Sequence, residues 1–213
     1  VAEKWSVHRC PGPFNFSSIN NVGDALAKGE YLLFLNNDIE VISPDWLMAM
    51  VAQAQRSGVG AVGAKLLYPD GSIQHAGVVL GVDGIAGHAF RHTHAGAGTY
   101  HAFADVARNC SAVTAACMLV PREVFRMING FDEQLRVEFN DVDLCLRIQE
   151  RGYRVVYAPD AVLYHYENAT RKGRRSFSDE ALFQRKWGDL ITKGDPHYNP
   201  NLTRRREDWG LDV

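Results

Sequence analysis

Asn36-Asn37-Asp38, with Glu40 close behind, gathers two amides and a carboxylate directly after the apolar run Tyr31-Leu32-Leu33-Phe34-Leu35. Hard oxygen donors of this kind suit Mg²⁺ or Mn²⁺ that also binds a diphosphate. An Asn/Asp-rich turn after a core strand has the same composition, so these residues alone leave both readings open. A second polar cluster, Glu138-Phe139-Asn140-Asp141-Val142-Asp143, stands immediately before Leu144-Cys145-Leu146. It predicts a helix running to Arg151, capped by Asn140 or Asp141 and stopped by Gly152. Carboxylates in a first turn gain about 0.3–1 kcal/mol from the helix dipole. Asp143 with Arg147 adds an i, i+4 pair worth about 0.2–0.5 kcal/mol, which accounts for Asp143 structurally. Asp141 is in surplus, because one cap needs one side chain. A surplus acid at a helix start, near a metal and a diphosphate, is placed to act as a general base. His165 lies in an aromatic strand, where a packed core histidine is the commoner outcome. His88, His92, His94 and His101 fall close together but lack the spacing of a structural zinc site.

The elements that must position these groups read as α/β. The apolar run 31–35 predicts a strand buried on both faces, as in a parallel sheet. Such a strand delivers residues 36–38 to the carboxyl edge, where open α/β sheets bind ligands. A helix beginning at Asn15 or Ser17 and ending near Lys28 precedes it, with Ile19, Val22 and Leu26 on its apolar face and Gly29 as its stop. Asn20 and Asn21 on this helix tie down a neighbouring loop or touch a ligand. Pro44 opens another helix as far as Arg56. Residues 58–67 are extended, Tyr68-Pro69-Asp70-Gly71 is a turn, and residues 72–80 form a second strand with Gln74 and His75 on its solvent face. The Gly-, Ala- and His-rich residues 81–104 predict a mobile surface loop. A strand over residues 109–120, a short helix from Pro121, and two strands around a Pro159-Asp160 turn follow. Ser178 caps a last helix reaching Trp187. The expected organisation is one domain over residues 1–188 and a loosely docked tail over 189–213.

Composition narrows the function classes. With 213 residues, 46% hydrophobic and 23% charged, the chain is of ordinary globular make-up. A formal net charge of −2 gives no electrostatic case for nucleic acid. Basic clusters at residues 171–175 and 204–206 are solvated surface, or meet phosphates or a membrane face. No apolar stretch approaches the roughly 20 residues that span a bilayer, and no signal peptide opens the chain. The four cysteines show no Cys-x-x-Cys spacing, and Cys117 and Cys145 in apolar surroundings read as reduced core thiols of a cytosolic protein.

Six stretches, in this order, resemble the family 2 glycosyltransferases of the GT-A fold, in particular their rhamnosyltransferase-like branch. They are residues 14–21 (Phe14-Asn15-Phe16-Ser17 to Asn20-Asn21), residues 31–41, Ala116-Cys117-Met118-Leu119-Val120, Gly130-Phe131-Asp132-Glu133, residues 140–147, and Val162-Leu163-Tyr164-His165-Tyr166-Glu167. The resemblance implies a Rossmann-like GT-A fold, a mixed central sheet flanked by helices. It places Asp38 where the family holds the divalent metal (Mn²⁺ or Mg²⁺) that bridges the donor's diphosphate. Asn36 stands in place of the usual first Asp, and Asn36 and Asn37 become donor contacts. Asp141 matches the family's catalytic base, with Asn140 replacing the first member of an acidic pair. His165 matches a histidine that completes the metal site, which displaces the core-histidine reading. Arg171 would steady the leaving diphosphate.

The implied reaction is an inverting transfer from a nucleotide-sugar donor to a hydroxyl of a saccharide or lipid-linked saccharide. The implied setting is bacterial cell-surface polysaccharide or O-antigen synthesis, in the cytoplasm with peripheral contact to the membrane's inner face. A non-catalytic carbohydrate- or nucleotide-binding module derived from the same fold is the alternative. The family's opening strands, which lead into Pro-x-Tyr/Phe-Asn and Asp-Asp-Gly-Ser and form most of the nucleoside pocket, have no counterpart in this sequence. An N-terminally truncated domain is therefore expected.

Overall fold

The computed structural model describes residues 5–94, 99–166 and 176–211. Its centre is a mixed sheet. Strands β1 (Tyr31–Leu35), β2 (Ile39–Val41), β3 (Val59–Leu67), β8 (Cys117–Pro121) and β9 (Arg154–His165) lie in the order β1-β8-β3-β9-β2. Only β3 and β9 run parallel, with Val62 opposite Val156; β1 with β8, β8 with β3, and β9 with β2 are antiparallel.

Both faces of this sheet are covered, and the period-two alternation of a strand divides its side chains between two cores. On β9, Val156 and Ala158 face one core and Val155 and Tyr157 the other; on β8, Cys117 and Leu119 oppose Met118 and Val120. Helix α2 (Trp46–Ala54) closes the first side with Met50 and Ala54. Helix α4 (Asn140–Glu150) closes the second with Leu144 and Ile148, joined by Phe125 of α3 (Arg122–Met127) and Phe183 of α5 (Phe177–Lys193). Near-continuous apolar runs on β3 and β8 follow from burial on both sides. Helix α1 (Phe16–Leu26) begins as expected, with Asn15 Oδ1 accepting from Ser18 N at 3.1 Å.

Several expectations are corrected. The run 31–35 is not a parallel strand inside the sheet: it pairs antiparallel with β8, and its other edge has no strand partner among the described residues. Hydrophobicity reports burial, not strand direction, so the run could not distinguish the two. Pro159-Asp160 does not divide two strands. β9 passes through it, and the register with β3 jumps from Ala64–Ala158 to Lys65–Val162. The extra residues form a bulge in the ladder, with Pro159 and Ala161 buried and Asp160 exposed, and a Pro in a bulge needs no ladder partner.

Residues 72–80 contribute two short strands, β4 (Ile73–His75) beside β3 and β5 (Val78–Leu80), with β5 paired to β6 (Ala86–His88); β7 (Arg108–Asn109) pairs antiparallel with β9. Gln74 and His75 are 4% and 0% exposed, not on a solvent face. Adjacent strand residues point to opposite faces, so one of them had to turn inward in any case. The described part of residues 81–104 is no free loop, since Val82, Ile85, Ala89 and Phe90 are buried.

Nor is the segment after residue 188 loosely docked. Helix α5 continues through Gly188 to Lys193, and Tyr198, Leu202 and Trp209 beyond it are buried. Trp209 stacks on Phe90 at 4.7 Å and meets the Arg108 guanidinium at 5.3 Å. Two aromatic anchors suffice to dock a stretch whose average composition is polar. No helix among the described residues is long and apolar enough to cross a membrane.

Candidate active site

The end of β1 and the end of β9 meet through their backbones. Asn36 N extends the β1–β8 ladder by donating to Ala116 O at 2.9 Å. Ile39 of β2 pairs with His165, and Tyr166 N donates to Asp38 O at 2.9 Å. The sheet thereby brings two residues far apart in the chain together: His165 Nε2 lies 3.3 Å from Asp38 Oδ1 and 3.3 Å from Asn36 Nδ2. Asp38 Oδ1 is buried and receives no hydrogen bond. A buried carboxylate oxygen with no donor is an unusual expense in a folded protein.

Helix α4 supplies the third group. Its start departs from the expected cap: neither Asn140 nor Asp141 caps it, and the cap position is Phe139, held at φ 58° with no side-chain hydrogen bond. Left-handed backbone at a bulky residue is strained, and Phe139 is held there by stacking on Phe183 at 4.9 Å. This turn aims Asp141 back toward the sheet. Asp141 Oδ1 accepts from Val142 N at 2.9 Å and Oδ2 from Ala115 N at 3.1 Å. Burial raises its carboxyl above the ordinary value of 3.8 and outweighs the lowering by the Ala115 and Val142 N–H groups and the Thr114 hydroxyl. A carboxylate that gains from protonation is suited to take a proton.

Asp143 points elsewhere and is structural, as its spacing implies. It accepts from Arg147 Nε at 2.7 Å and Trp187 Nε1 at 2.9 Å, and pairs with Lys186 Nζ at 2.6 Å.

Asn36, Asn37, Asp38, Asp141 and His165 all line one cleft of about 550 Å³. Arg171 lies outside the described residues. Asn21 takes the loop-tying role: its amide donates to Phe131 O at 3.0 Å and accepts from Phe131 N at 2.9 Å. Of the four histidines in the histidine-rich stretch, His88 lines the cleft. Its Nδ1 is 3.0 Å from Nδ1 of His75, whose Nε2 accepts from Gly77 N at 3.3 Å. Burial lowers His88 to about 4 and His75 well below the usual imidazole range, so both rings are neutral near pH 7. Sequence reasoning missed this pair and Gln74. The signal was available in Gln74-His75, two polar neighbours that a single solvent face cannot accommodate.

Similarity to known proteins follows the same residues. Residues 15–184 match the family described as "Glycosyltransferase like family 2". The O-antigen biosynthesis protein RfbC of Myxococcus xanthus is 47% identical over 206 residues, which cover 93% of this chain and 16% of that protein. The uncharacterized protein y4gI of Sinorhizobium fredii is 46% identical over 209 residues, 93% of this chain and 23% of that protein. The chain thus spans less than a quarter of the length of these curated relatives. Among solved structures, GalNAc-T7 with UDP, GalNAc and Mn²⁺ superposes with a TM-score of 0.61 at 14% identity, over 84% of this chain and 36% of that one. At that identity the likeness shows the fold, a mixed sheet with flanking helices of the GT-A type.

Proposed function

The chain belongs to the glycosyltransferase-like family 2, and from that premise we propose that it carries the catalytic groups of an inverting, metal-dependent transferase. Its donor is a nucleoside-diphosphate sugar and its acceptor a saccharide hydroxyl, free or lipid-linked. The carrying observation is the buried, donor-less Asp38 Oδ1 facing His165 Nε2, in the same cleft as a raised Asp141.

The donor set fits a divalent cation. Among the described residues no group of three or more His, Cys, Asp and Glu is placed to hold a metal. Asp38 and His165 would therefore be the protein's share, with donor phosphates and water supplying the rest, as is usual for Mg²⁺ and Mn²⁺ in phosphate sites. When bound, the cation offsets the charge that develops on the leaving diphosphate. Asn36 and Asn37, which line the cleft, would contact the donor. Asp141 takes the proton of the acceptor hydroxyl as that oxygen bonds to the anomeric carbon. The bond from that carbon to the diphosphate oxygen breaks on the opposite face, so the configuration inverts. The leaving group departs as an anion, and one protein base suffices.

The name of the Myxococcus relative supports surface-polysaccharide or O-antigen assembly as the setting. Such assembly, with lipid-linked acceptors, favours action at the cytoplasmic face of the membrane. Residues 15–184 form the transferase unit of this proposal, and residues 194–211 are packed onto it.

Calorimetric titration of the protein with UDP, GDP and dTDP, with and without Mn²⁺, tests the reading. One nucleotide is expected to bind in a Mn²⁺-dependent manner, and Asp38→Ala and His165→Ala each to weaken that binding at least ~10-fold. Binding unaffected by metal, or variants that bind as well as the parent, would remove the cation from this site. A second expectation concerns pH. Asp141 serves as a base only when ionised, and its raised pKa moves the acid limb of the rate profile upward. Turnover should fall on acidification at a pH above 3.8, the ordinary value. A limb at or below that value would point to a different base.

A further inference from the structure

Gln74 is buried on β4, 91 residues before His165, and holds that histidine with both ends of its amide. Its Nε2 donates to the main-chain carbonyl of His165 at 3.2 Å, and its Oε1 meets His165 Nδ1 at 2.6 Å. A carbonyl oxygen only accepts, so the NH₂ end of the amide belongs there. The opposite end is then an oxygen, which also only accepts, and the ring must donate to it. A neutral imidazole has one N–H, so Nδ1 carries it and Nε2 is left as an acceptor.

We propose that Gln74 is a positioning residue that fixes His165 in the Nδ1–H tautomer and keeps Nε2 open toward Asp38 for a divalent cation. The geometry on the other side of the ring agrees. Asn36 Nδ2, a donor, stands 3.3 Å from Nε2, and Asp38 Oδ1 beside it has no hydrogen-bond donor. A hydrogen on Nε2 would set a donor against the Asn36 Nδ2 donor and close that nitrogen to a metal. Gln74 therefore keeps an accepting nitrogen beside an Asp38 oxygen that has no hydrogen bond, two groups that a cation would satisfy together. Outer partners of this kind set ring orientation and ligand basicity at metal sites. The cation is part of the function proposed above, but the tautomer is a property of the metal-free protein, so the two are tested apart.

Long-range ¹H–¹⁵N spectra of ¹⁵N-histidine-labelled, metal-free protein, at a pH where the ring is neutral, report which nitrogen of His165 is protonated. The expected result is Nδ1–H in the parent and in Gln74→Glu, which keeps the accepting oxygen. A shift toward Nε2–H is expected in Gln74→Leu. Mn²⁺ affinity should fall about 10–100-fold in Gln74→Leu, and by less in Gln74→Glu. An Nε2–H ring in the parent, which needs no variant to observe, overturns the assignment; so does an unchanged tautomer in a folded Gln74→Leu. The expected tautomer in a protein that binds no Mn²⁺ would uphold the role of Gln74 and overturn the metal reading instead.

Discussion

Asp141→Asn is expected to lower the transfer rate by about 10²–10⁴-fold, the usual contribution of a positioned general base. The substitution keeps shape and removes the capacity to take a proton. Asp141 now accepts from two backbone N–H groups, of Ala115 and Val142. The Asn oxygen can keep one of these, and the amide NH₂ must face the other. That mismatch opposes the gain from removing a charge whose burial is unfavourable. Thermal unfolding should therefore change little, and Mn²⁺-dependent nucleotide binding should persist, because Asp38 and His165 are untouched. Single-turnover transfer measured beside nucleotide binding separates the effects. Unchanged turnover in a folded protein would take the base role away from Asp141.

Two residues further along, the same kind of change has a different consequence. Asp143 has a fully buried side chain and joins Arg147, Lys186 and Trp187. Asp143→Ala leaves the Arg147 charge without its partner in a partly buried place. It also strands the indole N–H of Trp187 and frees the link between α4 and α5. Removing one member of a buried pair costs about 3–5 kcal/mol, and that loss is expected in denaturant unfolding. Lys186 retains Asp132 at 2.7 Å and Arg147 retains Ile128 O at 2.8 Å, which points to the lower end of the range. A loss under about 1 kcal/mol would mean that the cluster behaves as an exposed pair. Two acids in one helical turn thus divide: one faces a cleft with its carboxyl raised by burial, the other is tied down by Arg147, Lys186 and Trp187.

That division was legible in part. The i, i+4 spacing of Asp143 and Arg147 identifies the structural acid, and the surplus identifies Asp141, although the cap assumed there does not form. The cap rule concerns side chains, whereas here a left-handed Phe139, held by Phe183, makes the turn. Asp38 was legible because an apolar run ends abruptly in polar residues. His165 was not, since composition cannot say which strand end will stand beside Asp38; the resemblance to the family supplied it. The partners of Gln74, His75 and His88, unlike their burial, were hidden for a related reason. Their neighbours are set by strand pairing over long separations, and only a folded sheet shows that β4 lies under the end of β9. The segment beyond residue 188 was misjudged because two aromatic residues decide its docking while the surrounding polar ones dominate its average.

The docking of that segment carries a consequence for the order in which the protein can be completed. The backbone N–H of His88 donates to Glu207 across 119 residues, Phe90 N donates to Glu207 O, and Trp209 closes over Phe90. During synthesis the β5–β6 hairpin emerges from the ribosome long before residues 195–209 do. Until they arrive, the hairpin carries an uncovered aromatic ring, and the wall of the cleft that holds His88 has no backing. The nascent chain can assemble β1, β3, β8 and β9 with Asp38 and Asp141 in place while this wall is still unfinished. The last-made residues of the described fold therefore act as its latch.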